Sequence, residues 1–142
     1  MTPVQRYSVH YRISGPSLDV DALLAVARPA SAHEVWRRGD VLDEGQRART
    51  SGIQIEIVDH HEAADVIAAI DAFLDVESAF VAAVRRVASD ETPSVLACAL
   101  WVYADEPVGL TLPVETMRAL ANADITLEVS GYPREEDADN DE

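Results

Sequence analysis

The residues best suited to chemistry are two adjacent histidines, His60 and His61, flanked by the carboxylates of Asp59 and Glu62. Imidazoles and carboxylates serve as metal ligands and as general acids or bases. A metal site needs three or four ligands that converge on one point, whereas adjacent side chains usually diverge. The chain has no HxH or HExxH pattern and no second His/Cys cluster. Because Asp59 and Glu62 also have the spacing of a helix capping box, we favour a structural interpretation of this cluster.

The single cysteine, Cys98, could act as a nucleophile only beside a histidine and with access for a substrate. It lies in the most apolar segment of the chain, where a free cysteine behaves as a small hydrophobic residue. His10 and His33 fall on predicted strands, but strand pairing cannot be derived from the sequence. We therefore interpret Cys98 as a core residue. A lone cysteine permits no internal disulfide, which is typical of a reducing cytosol.

A second candidate binding segment has the sequence WRRGD and extends from Trp36 to Asp40. Its two guanidinium groups could bind an anion, and its indole could stack on a partner. Alternatively, the indole anchors the loop while the two arginines pair with carboxylates of the chain itself. The sequence leaves both interpretations open. With His60 and His61, this segment supports an alternative hypothesis: a small enzyme or a ligand- or metal-binding domain with a concave pocket.

The most unusual property of the chain is its charge, because 26 acidic residues against 11 basic ones give a formal net charge of −15. Residues 1–50 have seven arginines and six acids, whereas residues 51–142 have four arginines and twenty acids. A negative field repels nucleic acid and anionic membranes and attracts basic partners. No segment approaches the ~20 apolar residues of a membrane-spanning helix. The first residues lack an apolar signal core, so we expect a cytoplasmic protein.

Acidic residues are dense along the helix predicted after residue 59 and in the turns beside it. A solvated helix face, or solubility alone, would account for such a pattern. We favour selection for a basic protein partner, because unopposed repulsion destabilises a compact chain. The predicted partner-binding residues are the carboxylates of this face and two aromatic anchors: Asp59, Glu62, Asp65, Asp71, Asp75, Glu77, Trp36 and Tyr103.

The strands that must position these residues follow from hydropathy patterns. Segment 94–104, SVLACALWVYA, is apolar on both faces, so we expect a strand near the middle of a sheet and covered on both sides. Alternation predicts further strands over 4–13, 53–57 and 125–130, and a short one over 33–37. In the first of these, the alternate residues Tyr7, Val9, Tyr11 and Ile13 should point inward.

Helical spacing predicts the helices between these strands. The first is expected to be capped by Ser17 and to end at Arg28, with Val20, Leu23, Leu24 and Ala27 buried. The second follows the capping box at 59–62, and residues 80–87 continue it or form another helix after a break near Asp75. The last is expected to have Pro113 at its first helical position and one face made of Val114, Met117, Leu120 and Ala121.

The first six predicted elements have the ferredoxin-like order, and a helix and a strand are appended. We therefore predict an α+β fold: a two-layer sandwich in which helices cover one face of a mainly antiparallel five-stranded sheet. This domain should comprise residues 1–132. Residues 133–142 should form an acidic, disordered tail.

Six segments, taken in their order, resemble a bacterial family called domain of unknown function 4279. They are YSVHYRISG, the RP at 28–29, WRRGD, SGIQIEI, SVLACALWVYA and GLTLPVETMRALANADITLEVSGY. The resemblance covers the chain apart from the acidic tail. It implies a small bacterial protein without established catalytic residues, and some members of the family resemble immunity proteins encoded beside polymorphic toxins.

The leading hypothesis is therefore a non-enzymatic, immunity-type inhibitor that needs no cofactor and binds a basic toxin domain such as a nuclease. Opposite fields would accelerate encounter, and a few buried anchors would slow dissociation. The small enzyme or ligand-binding domain is the alternative. A third possibility is a homo-oligomeric scaffold that pairs through its first or last strand. The oligomeric state is left open.

Overall fold

Five strands and four α-helices form the regular structure of this computed structural model, which describes residues 6–61, 63–103 and 109–134. In chain order the elements are β1 (Arg6–Gly15), α1 (Val20–Val26), β2 (Glu34–Trp36), β3 (Ser51–His61), α2 (Ala63–Val76), α3 (Ser78–Val87), β4 (Ser94–Tyr103), α4 (Val114–Asn122) and β5 (Thr126–Arg134). A single 3-10 turn, Asp43–Gly45, lies in the loop before β3. The α+β class is confirmed.

The strands lie in the order β2-β3-β1-β4-β5. The pairs β2/β3, β3/β1 and β1/β4 are antiparallel, whereas β4/β5 is parallel. The sheet is therefore mixed, and the prediction of a mainly antiparallel sheet is wrong in this respect. The physical reason is the connection through α4, since a helical crossover returns the chain to the starting edge and the next strand runs parallel.

All four helices contribute to one hydrophobic core on one face of the sheet. The predicted alternation in β1 is confirmed, because Tyr7, Val9, Tyr11 and Ile13 are buried in that core. The ring of Tyr11 lies 5.1 Å from that of Phe73 in α2 and 6.4 Å from that of Phe80 in α3. These contacts fix the two long helices across the central strand.

Within the described residues, helices cover one face of β4, whereas cover was expected on both faces. Its residues Leu96, Cys98 and Leu100 belong to the core beneath the helices, but no described helix packs against the opposite face. There Val95 and Ala97 are nonetheless buried. Arg12 of β1 and Glu128 of β5 form an ion pair of 4.0 Å across the intervening β4, so their side chains shield this part of the strand.

The helix starts differ from the capping predictions. The side chain of Asp19, not of Ser17, accepts a hydrogen bond from the Ala22 amide at the start of α1. This helix also ends at Val26, two residues before the predicted end. Strand β3 continues to His61, so Asp59 lies in a strand rather than at a helix N-cap. Residue 62, the other half of the predicted capping box, is outside the described residues.

The last helix buries only part of the predicted face, because Leu120 is buried but Ala121 is exposed. Thr116 and Leu120 are buried, whereas Val114 and Met117 are 52% and 47% exposed. The hydroxyl of Thr116 donates a hydrogen bond of 2.9 Å to Asp71 of α2, which turns the polar residue toward the neighbouring helix. Pro113 is the N-cap of α4 rather than its first residue.

Strand β5 extends through Arg134, two residues beyond the predicted end of the domain. The predicted acidic tail lies almost entirely outside the described residues. As the final strand in the sheet order, β5 has one unpaired edge in the described structure. Its residues Leu127 and Val129 are exposed there, so the apolar alternation in this strand does not indicate complete burial.

Candidate functional site

The predicted acidic helix face is present in part. Asp71 and Asp75 are exposed on α2, and Asp71 also accepts the hydrogen bond from Thr116. Glu62 and the side chains of Asp59 and Asp65 lie outside the described part of the chain. Their role in partner binding stays a prediction.

Glu77 does not belong to an exposed acidic face, because it is only 2% exposed. Its two carboxylate oxygens each accept a hydrogen bond of 2.8 Å, from the amides of Ala30 and Ser31. Burial raises the pKa of Glu77, but the hydrogen bonds from Ser31 and Ala30 and the nearby His33 outweigh burial and lower this pKa overall. Glu77 is a structural carboxylate that holds the loop after α1 at the junction of α2 and α3.

Of the two predicted aromatic anchors, Trp36 lies on the opposite side of the sheet from this helix face. Trp36 lies half-buried on β2, on the sheet face opposite the helices, and its ring covers Gly52. The indole donates a hydrogen bond of 3.2 Å to the hydroxyl of Thr50. Tyr103 is the last residue of β4, and its side chain is outside the described residues. The structure therefore does not bring Trp36 together with the carboxylates of α2.

The arginines of the WRRGD segment are held by the chain itself. The guanidinium of Arg37 makes two hydrogen bonds to Asp21, of 2.7 and 3.2 Å, and this contact lowers the pKa of the Asp21 carboxyl. Arg38 reaches the carbonyl of Pro16 at 3.5 Å, and Asp40 accepts from the Arg37 amide at 2.7 Å. These contacts support the interpretation of a self-anchored loop over that of an anion site.

The histidines show no convergent ligand set within the described residues. Among the side chains that the structure describes, which exclude those of residues 59–65, no group of three or more His, Cys, Asp or Glu could hold a metal ion. His60 and His61 end β3, and their side chains are not among those described. Burial, followed by the charge of Arg12, lowers the pKa of His10, so its imidazole is neutral at pH 7.

Cys98 is confirmed as a core residue. It is buried between Val9 and Val129 in the sheet register, and burial raises the pKa of its thiol to about 11. His10 lies on the strand beside it but is paired with Ala97, on the opposite face. The thiol lacks the exposure that a nucleophile requires, and its raised pKa disfavours the thiolate.

A concave pocket is present. A groove of about 560 Å³ lies between α1 and α3, lined by apolar residues that include Leu23, Val26 and Val87. Asp19, Arg86 and Glu91 are the charged residues of its described lining. No residue of the WRRGD segment belongs to this described lining, and the side chains of His60 and His61 lie outside the described part of the chain, so the groove does not support the alternative hypothesis.

The feature that sequence reasoning missed is the sheet face opposite the helices, which we call the open sheet face. Cross-strand pairing places two rows of residues on it. One row is Glu34, Gln54, Arg12, Val95 and Thr126; the other is Glu56, His10, Ala97 and Glu128. In β1, β3 and β5, polar residues alternate with apolar ones along the sequence. This alternation was the sequence feature that could have predicted a polar sheet face.

Comparison with protein-family models gives no match to this chain, and comparison with curated proteins gives none either. The resemblance to domain of unknown function 4279 therefore stays a prediction. Among the helices of the described residues, none combines the length and apolar character needed to cross a bilayer.

Proposed function

We propose that this chain is a non-enzymatic, cytoplasmic binding protein, an immunity-type inhibitor that neutralises a basic toxin domain such as a nuclease. The observation that carries the proposal is a large excess of exposed carboxylates without a compensating cation. Eight exposed acids form neither a salt bridge nor a side-chain hydrogen bond with any described residue: Glu34, Asp43, Glu44, Glu56, Asp75, Asp90, Glu91 and Glu115.

These carboxylates lie on the side of the sheet that the four helices cover, which we call the helix layer, on the open sheet face and in connecting turns. They are therefore not concentrated on α2. Their combined field surrounds the described molecule and acts before contact. A net charge of −15 attracts a cationic domain from a distance and accelerates its encounter. Distributed charge supports long-range steering, whereas the docking position must depend on a more local arrangement.

A nuclease is a suitable target because it needs a cationic groove to bind phosphate. An acidic protein seated on that groove or its rim would exclude the nucleic acid without chemistry of its own. Absence of a cofactor is part of this proposal. The elements β1 to β4 with their helices would serve as a ferredoxin-like scaffold, a proposal supported by the antiparallel order β2-β3-β1-β4.

The test is binding to the basic carboxy-terminal domain encoded by the gene directly upstream, with both proteins purified. Calorimetry in 50, 150 and 300 mM NaCl should show a dissociation constant that increases at least tenfold over this range. Co-expression should also restore growth of cells that the domain alone inhibits. Binding that is insensitive to salt, or an upstream gene without a basic domain, would contradict the proposal.

A further inference from the structure

We infer that the open sheet face is the docking surface for a basic protein, whose arginine or lysine side chains contact Glu34, Glu56 and Glu128. This inference rests on the proposed function and adds the position of the interface. It also predicts that α2, the helix singled out by the sequence, lies outside the contact.

The open sheet face is accessible because the described helices all pack on the other side. Its centre is built from the short side chains of Val95, Ala97 and Ala99 on β4, next to the middle of the sheet. Val95 and Ala97 are buried beside the Arg12–Glu128 ion pair, so a partner would contact these two longer side chains before the strand itself. Glu56 and Glu128 stand at the two ends of one cross-strand row, and three strand spacings separate their backbones by about 14 Å.

The charge of this face favours a cationic occupant. Arg12 is the one arginine on this face whose side chain is described, and Glu128 already pairs with it at 4.0 Å. The register also places Arg6 and Arg134 on this face, at the end of the sheet that holds Trp101 and Tyr132 and away from Glu34 and Glu56. His10 is neutral at pH 7, because burial and the charge of Arg12 lower its pKa. Glu34 and Glu56 are exposed and have no salt bridge to any described residue. A partner cation would therefore meet carboxylates whose charge is not yet compensated.

The accessible aromatic side chains distinguish this face from the helix layer. Among the residues whose side chains are described, every aromatic ring that is not buried lies here: Trp36, Trp101 and Tyr132. Trp101 and Tyr132 stack with a centroid distance of 5.5 Å, and Tyr132 is 48% exposed. Tryptophan and tyrosine are enriched at protein interfaces, and their faces attract guanidinium groups.

The helix layer also has carboxylates, such as Asp75 and Glu115, but its aromatic rings are buried in the core. Charge alone would permit docking on either layer. Charge combined with accessible aromatic rings occurs only on the open sheet face within the described residues. This combination is the reason for assigning the interface to the sheet.

The experiment uses two adjacent positions of β5 that point to opposite faces. Thr126 is exposed on the open sheet face, and Leu127 is exposed on the helix side. A nona-arginine peptide is the probe, titrated in 20 mM NaCl, with the fluorescence of Trp36 and Trp101 as the readout. These are the only tryptophans of the chain, and both lie on the proposed surface.

We expect peptide binding to change the tryptophan fluorescence of the wild-type protein. Thr126→Arg should weaken binding at least fivefold, whereas Leu127→Arg, which introduces the same charge one residue away, should change it less than twofold. Circular dichroism and thermal unfolding identify any variant that fails to fold. In that case two triple variants replace the pair: Glu34→Gln, Glu56→Gln and Glu128→Gln against Asp75→Asn, Asp90→Asn and Glu115→Gln.

Equal weakening by the two variants of either pair would overturn the docking surface while leaving the charge-based function intact. Greater weakening by Leu127→Arg, or by the helix-layer triple variant, would do the same. Binding of the peptide without any change in tryptophan fluorescence would also contradict the open sheet face. Failure of the wild-type protein to bind the peptide in low salt would overturn both this inference and the proposed function.

Discussion

At the scale of single residues, Glu77 shows that an acidic position on a helix pattern need not be exposed. Its carboxylate accepts the amides of Ala30 and Ser31, more than forty residues earlier in the chain. A buried carboxylate is stable when such hydrogen bonds replace its hydration. Helical spacing gives the direction of a side chain relative to its own helix, but it does not show which loop covers that side chain.

Replacing Glu77 by Gln should destabilise the protein by about 2 kcal/mol at pH 7, because one charge-assisted acceptor is lost. Asp75→Asn is the control, because Asp75 lies two residues earlier, is exposed and has no hydrogen bond or ion pair to a described residue; it should change stability by less than about 0.5 kcal/mol. Because the folded pKa of Glu77 is lowered, its contribution is complete above the usual carboxyl pKa and is lost as pH falls through the folded value. Urea unfolding between pH 7 and pH 3 should show the wild-type advantage over Glu77→Gln shrinking at acidic pH. A pH-independent difference would contradict the assignment.

Cys98 should resist alkylation in the native protein. A thiol pKa of about 11 leaves on the order of a hundredth of the thiolate that an ordinary cysteine has at pH 8, and burial further limits access. Iodoacetamide labelling followed by mass spectrometry should therefore be slow for the folded protein and fast in 8 M urea. Rapid labelling of the folded protein would show that the thiol is accessible and would reopen the question of a reactive cysteine.

At the scale of elements, the N-terminus of α1 allows a test of which residue caps a short helix. The structure assigns the cap to Asp19, whose side chain accepts the Ala22 amide at 3.0 Å. Asp19→Ala should lower the free energy of unfolding by about 1 kcal/mol. Ser17→Ala, at the cap predicted from the sequence, should have almost no effect in the same denaturation experiment. The reverse order of the two effects would restore the sequence-based prediction.

The packing of Trp36 of β2 against Gly52 of β3 leads to a second prediction at this scale. A Cβ at Gly52 would overlap the ring of Trp36 and lie 2.8 Å from the carbonyl oxygen of Ile13. Gly52→Ala should therefore destabilise the fold by about 2 kcal/mol, and less in a Trp36→Ala background, where the ring no longer obstructs the methyl group. Gly131→Ala in β5 is the matched control, since no atom lies within 4 Å of its added Cβ. Equal effects at the two glycines would contradict the packing of Trp36.

At the scale of the whole molecule, the net charge of −15 should act against the folded state. Three ion pairs in the described residues, formed by Arg12, Arg37 and Arg85, compensate only part of this charge. The remaining repulsion is screened by salt, and the compact state benefits more than the expanded chain.

Raising NaCl from 20 to 300 mM should therefore increase the melting temperature by about 2–4 °C, corresponding to roughly 1 kcal/mol for a chain of this length. KCl at the same concentrations should have the same effect, because screening depends on ionic strength rather than on a specific cation. Differential scanning calorimetry is the measurement. A melting temperature that decreases as salt is added would show that attractive ion pairs dominate the charge interactions of the folded protein.

The sequence by itself determined the local features of this protein. Alternation located β1 and β3, a segment apolar on both faces located β4, helical spacing located α2, and composition gave the sign of the field. Spacing also showed that residues 80–87 are helical, but it left open whether they continue α2 or form the separate helix α3. These properties depend on neighbouring residues, so they can be derived from spacing alone. The limits of this reasoning appear where tertiary contacts compete, as at Asp59, which extends a strand instead of capping a helix.

Only the tertiary structure decided which distant residues meet. The parallel β4/β5 pair, the burial of Glu77 by the loop after α1 and the Arg12–Glu128 pair across β4 all depend on contacts between segments far apart in the chain. The same is true of the open sheet face, where Trp36 and Tyr132 share one surface although almost a hundred residues separate them. Hydropathy shows that a residue prefers burial, but the sheet register selects its neighbours.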